Sequence, residues 1–339
     1  MTLKNIYEKK YKLLLVIPIL MLLAAIAQIG MQYISTGDFL NKDVSLKGGM
    51  TITVPLATGS QEVSVLEDFL RDKYPENDIS VRELSSGTDV KGVIVAADIL
   101  IEEKEKSEDF IKDIAKKTDV DRDDFSIEYM GSSLGASFFR ETFTAVLIAF
   151  LFMGMIVFLY FGEKWTHKSI VVALTLTSAL IFFNASNIVT NIIAFAGIAA
   201  LIFMFLRYSI PSFAVILAAL SDIIITLAIV NVIGIKLSAG GIAAFLMLIG
   251  YSVDTDILLS TKLLKRKEGT LMERVYSAMK TGLTMNITTI AALTVALMLS
   301  QSTIISQIMT ILLIGLFIDI INTWIQNVGI LRMYLERKR

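Results

Sequence analysis

Cysteine is absent from the 339 residues, which excludes disulfides, iron–sulfur clusters, thiolate zinc sites and thiol nucleophiles at once. Histidine is nearly absent too. His167 stands alone, so neither a histidine-based metal site nor a Ser-His-Asp triad is expected. Charge is scarce: 19% of residues are charged and 55% are hydrophobic, where an ordinary soluble domain carries about 25% charged residues. Two soluble cores could not be coated with so little charge. No G-x-x-x-x-G-K-[ST] cradle is present, so ATP is not expected to be hydrolysed through such a loop. Internal repeats of 20–50 residues, Pro-rich or Gln-rich tracts and heptad runs are also missing. No enzyme chemistry, cofactor, metal or nucleic-acid partner is expected.

What is present is unevenly spread. Residues 35–141 hold 13 Lys/Arg and 23 Asp/Glu, whereas the remainder holds 18 and 9. An acidic segment is thus joined to a basic, apolar remainder, and the two are expected to face different environments.

The apolar remainder reads as membrane spans. Leu13 to Gly30 approaches the ~20 apolar residues that a helix needs to cross a bilayer. Ala25-Ile26-Ala27 has the look of a signal-peptide cleavage site. The run exceeds a usual signal core, however, and it is succeeded by more spans, so it is read as an uncleaved anchor within residues 1–34. From Thr142 the chain is almost continuously apolar, and polar or Gly/Pro breaks divide it into 142–161, 169–185, 190–206, 211–233, 240–261, 282–300 and 304–330. Eight spans result, with residues 142–339 as the bundle.

Between anchor and bundle, residues 35–141 read as one external domain. Met50–Pro55, Asp78–Leu84, Val90–Leu100 and Phe125–Tyr129 carry strand patterns. Ser60–Lys73 and Glu103–Lys117 place apolar residues at helical spacing. The order β-α-β-β-α-β is that of a ferredoxin-like α+β domain. Lys and Arg concentrate in cytoplasmic loops. A cytoplasmic N-terminus collects Lys4, Lys9, Lys10, Lys12, Lys164, Lys168, Arg207, Lys262, Lys265, Arg266, Lys267, Arg274, Lys280, Arg332, Arg337, Lys338 and Arg339 inside. Among the short outer loops only Lys236 remains. The eight spans then return the C-terminus inside and leave 35–141 extracellular.

The residues that could carry function are charges within the spans: Asp222, Asp254, Asp256 and Asp319, with Lys262 beside them. A carboxylate at a span centre costs about 2.5–3.5 kcal/mol on insertion scales, and such residues commonly mark ion or proton paths. Their plainer reading is as protonated hydrogen-bond donors between helices. Helical geometry sets Thr226 on the face of Asp222, and Asn322, Thr323 and Gln326 on the face of Asp319. Asp254 shares a face with Leu258, Thr261 and Lys262, and Asp256 lies about 200° around the helix from it. Thr284, Asn286, Thr288 and Thr289 add polar groups to the 282–300 span. Gly240, Gly241 and Gly250 would let helices approach closely. Lys262 is read as an inner-interface anchor or as a counter-ion, and Lys265, Arg266 and Lys267 as anchors to the inner leaflet.

LIGYSVDTDILLSTKLLKRKEG (248–269) resembles the fourth-span signature of the archaeal SecF family of the Sec export complex. AVILAALSDIIITLAIVNVIGIKLS (214–238), LKGGMTITV (46–54) and GSSLGASF (131–138) are similar to other segments of that family. The resemblance covers residues 1–161 and 205–339. It implies half of a resistance-nodulation-division type bundle that pairs with SecD and the Sec channel, contacts the translocating polypeptide and membrane lipids, and takes its protonatable groups from Asp222, Asp254, Asp256 and Asp319. Two departures stand out. The family pattern has six spans, so a pair around 162–206 is additional. Lys262 stands where bacterial members have Arg, and a Lys releases a proton more readily. Two other readings are a self-contained transporter of a small or lipidic substrate, and a membrane-anchored binding domain on passive spans.

Overall fold

The computed structural model describes residues 7–55, 63–86, 89–100, 102–183, 188–266, 268–300 and 302–338. The predicted basic anchors Lys4, Lys267 and Arg339, and the predicted helix start at Ser60, lie outside the described residues.

A first helix, α1, runs Val16–Thr36 and ends on Gly37 in a left-handed conformation (φ 77°). The external domain comes next, with β1 Gly49–Pro55, α2 Val63–Lys73, β2 Ile79–Ser86, β3 Asp89–Ala97, α3 Lys104–Thr118 and β4 Ser126–Met130. The sheet order is β2-β3-β1-β4 and every pairing is antiparallel, the ferredoxin-like arrangement expected from the element order. Alternation along β1 explains the core. Met50, Ile52 and Val54 are fully buried while Thr51 and Thr53 face the other side. They pack with Leu66 and Leu70 of α2, Val95 of β3, and Phe110, Ile111 and Ile114 of α3.

The bundle comprises α4 Ser132–Phe161, α5 Trp165–Phe183, α6 Ile188–Tyr208, α7 Ile210–Ile233, α8 Ala239–Leu264, α9 Leu271–Leu299, α10 Thr303–Ile321, a π-helical turn Asn322–Asn327, and α11 Val328–Lys338. Among the described residues, seven helices are long and apolar enough to cross a membrane, and Ile192–Tyr208 is a shorter apolar eighth. With all of α6 counted, 21 residues are helical, about 30 Å at 1.5 Å per residue. The chain is therefore a membrane helical bundle with an external α+β domain. Helix α4 begins ahead of the apolar run read from Thr142, because Ser132 to Glu141 form a polar extension of the helix beyond the apolar stretch.

Helix α8 is the hub, packing against α4, α7, α9 and α10. Helices α5 and α6 pack on each other and join the rest through α4 and α7. That pair is held by Leu151, Phe158, Val171, Leu201, Phe205 and Ile216.

One fastening between the external domain and the bundle is a polar cluster at the α7–α8 loop, beside the packing of the Val44–Lys47 turn on α4. The α7–α8 loop pairs with the segment after α1: Leu237 N donates to Asn41 O at 2.6 Å and Asp43 N to Leu237 O at 2.9 Å. Beside it, Asp78 at the start of β2 accepts from Lys236 Nζ at 2.5 Å and Lys47 Nζ at 3.2 Å. Gln307 of α10 closes the cluster, accepting from the Ser238 hydroxyl and donating to Lys236 O. Burial alone would push the Asp78 carboxyl up, but the two ammonium groups outweigh it and hold the carboxyl below the usual carboxylate range.

Candidate functional site: three buried carboxyl groups

Asp222 sits near the middle of α7, Asp256 in the second half of α8 and Asp319 near the end of α10. All three are fully buried. Sequence periodicity alone gave each helix its own polar face; α8 brings the three faces together because it contacts both α7 and α10.

Each carboxyl meets polar partners, and some of these are shared. Asp222 accepts from the Ser252 hydroxyl on α8 at 2.5 Å and from Asn322 Nδ2 at 2.7 Å. Asp319 accepts from Asn286 Nδ2 of α9 at 2.9 Å and lies 3.0 Å from Thr323 Oγ1. Asp256 accepts from Asn327 Nδ2 at 2.7 Å and lies 3.0 Å from the same Thr323 oxygen. Gln326 Nε2 donates to Ser221 Oγ at 3.2 Å. Such groups have few alternatives at this depth, since a polar atom without a partner in an apolar medium costs several kcal/mol (~2–7). Among the described residues Asp256 Oδ2, Asn322 Oδ1, Asn327 Oδ1 and Thr226 Oγ1 nevertheless lack partners.

The π turn explains how one short segment serves three helices. A π turn is wider than an α turn and shifts the register of the residues beyond it. Asn322, Thr323, Gln326 and Asn327 are all buried; Asn322 and Gln326 reach α7, Asn327 reaches α8, and Thr323 reaches both α8 and α10. Helix α9 approaches closely at Gly282, where an added Cβ would collide with the Trp324 ring.

The remaining predicted residues lie elsewhere. Asp254 is on the exposed face of α8 with Tyr251, consistent with the angular separation from Asp256. Lys262 Nζ donates to Ser277 O at 2.8 Å and Thr281 Oγ1 at 2.8 Å on α9, so its bonds run to neutral oxygens rather than to the three carboxyl groups. Thr284, Thr288 and Thr289 bond to carbonyls of their own helix, leaving Asn286 as the member of that set that reaches the site. Thr226 is buried near Asp222 without a bond to it. Gly240 and Gly241 abut Ile304 and Gln307 of α10, whereas Gly250 faces open space. Three site residues escaped the sequence reading: Ser252, Asn327 and Ser221, the last of which accepts from Gln326. Ser252 is overshadowed by the acidic Asp254 and Asp256 that follow it, though its place four before Asp256 was a usable signal. Asn327 falls off the Asp319 stripe at 3.6 residues per turn, and only the π turn brings it in.

Fold and site together define a multi-pass membrane protein with a small external domain and a buried three-carboxyl core at the junction of three helices. Comparison with known proteins is specific. The family model "Protein export membrane protein SecD/SecF, C-terminal" matches residues 110–191 and 175–337. The chain is 32% identical over 341 residues to the protein-export membrane protein SecF of Pyrococcus furiosus, covering 99% of this chain and 95% of that one. It is 32% identical over 336 residues to SecF of Methanocaldococcus jannaschii, covering 98% of each, and 34% identical to SecF of Methanothermobacter thermautotrophicus, covering 97% and 94%. The crystal structure of SecDF, a translocon-associated membrane protein from Thermus thermophilus, shares the fold with a TM-score of 0.59 at 15% identity. The match covers 96% of this chain and 38% of that one.

The chain belongs to the SecF family of protein-export membrane proteins. Members of this family are protein-export membrane proteins, and the role it gives this chain is accessory to Sec-dependent export.

Proposed function

We propose that this chain acts with SecD as an ion-driven accessory subunit of the Sec translocase. Movement of a cation, most simply a proton, down its gradient through the three-carboxyl core shifts the helices around α8, and the external domain passes that motion to the exported polypeptide. The observation that carries the reading is the buried convergence of Asp222, Asp256 and Asp319. A passive scaffold gains nothing from it, because apolar side chains of similar volume pack as well without the desolvation penalty of buried charge.

Two further features support the reading. The polar fastening between the external domain and the bundle lies on the α7–α8 loop, directly between the helices that carry Asp222 and Asp256. Asp254 is exposed midway along α8, and a carboxylate there is costly against lipid. A SecD half seated on that face would cover it. The chain spans 38% of the SecDF chain it resembles, which leaves room in that architecture for such a half. The Sec channel, the polypeptide and membrane lipids complete the set of partners. The working parts are an anchor, 1–34, an external domain, 35–141, and the bundle, 142–339, with both termini cytoplasmic and 35–141 extracellular.

Cells in which Asp222→Asn, Asp256→Asn or Asp319→Asn replaces the wild-type chain should export a Sec-dependent reporter no better than cells lacking it. Full export by all three variants refutes the reading. Purification from native membranes should recover a SecD protein with the chain. The absence of native cysteine allows the orientation to be tested directly. A single cysteine introduced at Glu128 should react with an impermeant maleimide added outside, and one at Lys265 should not.

A further inference from the structure

The hydrogen bonds around Thr323 do not balance if both neighbouring carboxyl groups are ionised. Thr323 Oγ1 is 3.0 Å from Asp256 Oδ1 on α8 and 3.0 Å from Asp319 Oδ1 on α10. A hydroxyl has one proton to donate. Asn327 and Asn286 contribute only N–H donors to these carboxyl groups, so neither supplies a proton to either Thr323 contact. With two carboxylates, one of the contacts would set oxygen lone pairs face to face in a fully buried place. One proton must therefore lie on a carboxyl oxygen and point at Thr323, leaving the hydroxyl to donate to the other carboxylate.

We propose that the Thr323 hydroxyl is the proton relay between Asp319 and Asp256, carrying a proton from α10 to α8 without water. This rests on the ion-path reading above and names the group through which the path runs. In one state Asp319 is protonated and donates to Thr323, which donates to the Asp256 carboxylate. In the other, Asp256 is protonated and donates to Thr323, which donates to the Asp319 carboxylate. The states interconvert when the Asp319 O–H bond breaks as a new Thr323 O–H bond forms, and the original Thr323 O–H bond breaks as an Asp256 O–H bond forms. Atoms and charge balance, and Thr323 ends as a hydroxyl. The net result is one proton moved between helices.

Placement favours this use. Thr323 is four residues after Asp319 and lies in the π turn, so it keeps its distance to its own helix while facing α8. Its side chain is fully buried. The other titratable group facing the pair is Asp222 of α7, which bonds Ser252 and Asn322 and lies within hydrogen-bond reach of Asp319 but not of Thr323. A threonine that only tied α10 to α8 would need one of the two contacts. The relay needs both, equally short.

The test uses the full chain. Infrared difference spectra of the purified protein should show a protonated carboxyl at a pH where exposed carboxylates are ionised, and the Asp256→Asn/Asp319→Asn double variant should lose it. Finding no such carboxyl in the wild type overturns the proposal without any Thr323 variant having to fold. Thr323→Ser keeps the hydroxyl and should retain most gradient-driven export. Thr323→Val and Thr323→Ala should lower it by about a hundredfold or more, the scale of a lost proton-transfer group, and the Asp256 band should then no longer respond to Asp319→Asn. Wild-type export by both Thr323→Val and Thr323→Ala, while Asp256→Asn and Asp319→Asn abolish it, overturns the relay and leaves the ion path standing. Wild-type export by the two Asp variants overturns both.

Discussion

Removing the Asp78 carboxyl should loosen the polar fastening between external domain and bundle by a calculable amount. Asp78 meets Lys236 at 2.5 Å and Lys47 at 3.2 Å, with side chains 38%, 19% and 36% exposed. Exposed ion pairs are worth about 0.2–1 kcal/mol after solvent screening. The shelter of Lys236 and the two cations on one carboxylate put this cluster at the top of that range, so Asp78→Ala should cost about 1 kcal/mol at the loop. The two backbone bonds through Leu237 remain, so the loop opens more often without coming away. About 1 kcal/mol is a factor of roughly five in an opening equilibrium. Amide hydrogen exchange of the full chain in nanodiscs, read on peptides covering 37–43 and 234–238, should speed up about fivefold in Asp78→Ala. Lys236→Ala should do nearly the same, and the double variant should add little. The difference should shrink at high salt. The Asp78 carboxyl sits below its ordinary range in the folded chain. Its contribution is therefore complete above the unfolded carboxylate range and is lost only as pH falls through the lower folded value. Neutral and mildly acid buffers should give the same result. Unchanged exchange in Asp78→Ala, or full additivity in the double variant, would refute the coupling of this carboxylate to the loop.

Three other outcomes rest on particular contacts. Gly135→Ala would set a Cβ 2.9 Å from Gly48 N and 3.1 Å from Leu46 C; backbone cannot yield cheaply, so thermal unfolding should show a loss of about 1–3 kcal/mol. Asn286→Leu removes the donor to Asp319 and should cost about 1–3 kcal/mol in the same assay, while Thr284→Val, on the exposed side of the same helix, should cost little. Asp254→Asn should leave the stability of the purified chain within about 0.5 kcal/mol yet change how much SecD co-purifies, since the exposed face of α8 changes and the core does not.

Much of the fold was legible because each part keeps to a single period. The run Leu13 to Gly30 and the later apolar stretches fall in helices; among the described residues seven are long and apolar enough to cross a bilayer, Ile192–Tyr208 is shorter, and a π turn interrupts the last. The external domain was readable strand by strand because Met50, Ile52 and Val54 alternate with threonines. Boundaries were less legible. Helix α4 extends to Ser132 because its first turns are fixed by contact with the Val44–Lys47 turn rather than by apolarity. The site was half legible. Asp222, Asp256 and Asp319 announce themselves as charges in apolar runs, but nothing in their own helices says that α8 would join them while turning Asp254 outward. Helical counting assigned Asn322, Thr323 and Gln326 to a single stripe with Asp319. The π turn instead deals them to Asp222, to the Asp256–Asp319 pair and to Ser221, and a departure from 3.6 residues per turn leaves no mark in the hydrophobic pattern.

Proton flux is the most direct test of the three-carboxyl core. Vesicles carrying the chain together with a SecD protein, given an imposed pH gradient and monitored with an interior pH dye, should take up protons faster than protein-free vesicles. Asp222→Asn, Asp256→Asn and Asp319→Asn should each return uptake to the protein-free leak. Uptake at the wild-type rate in all three variants would contradict an ion path through these carboxyl groups.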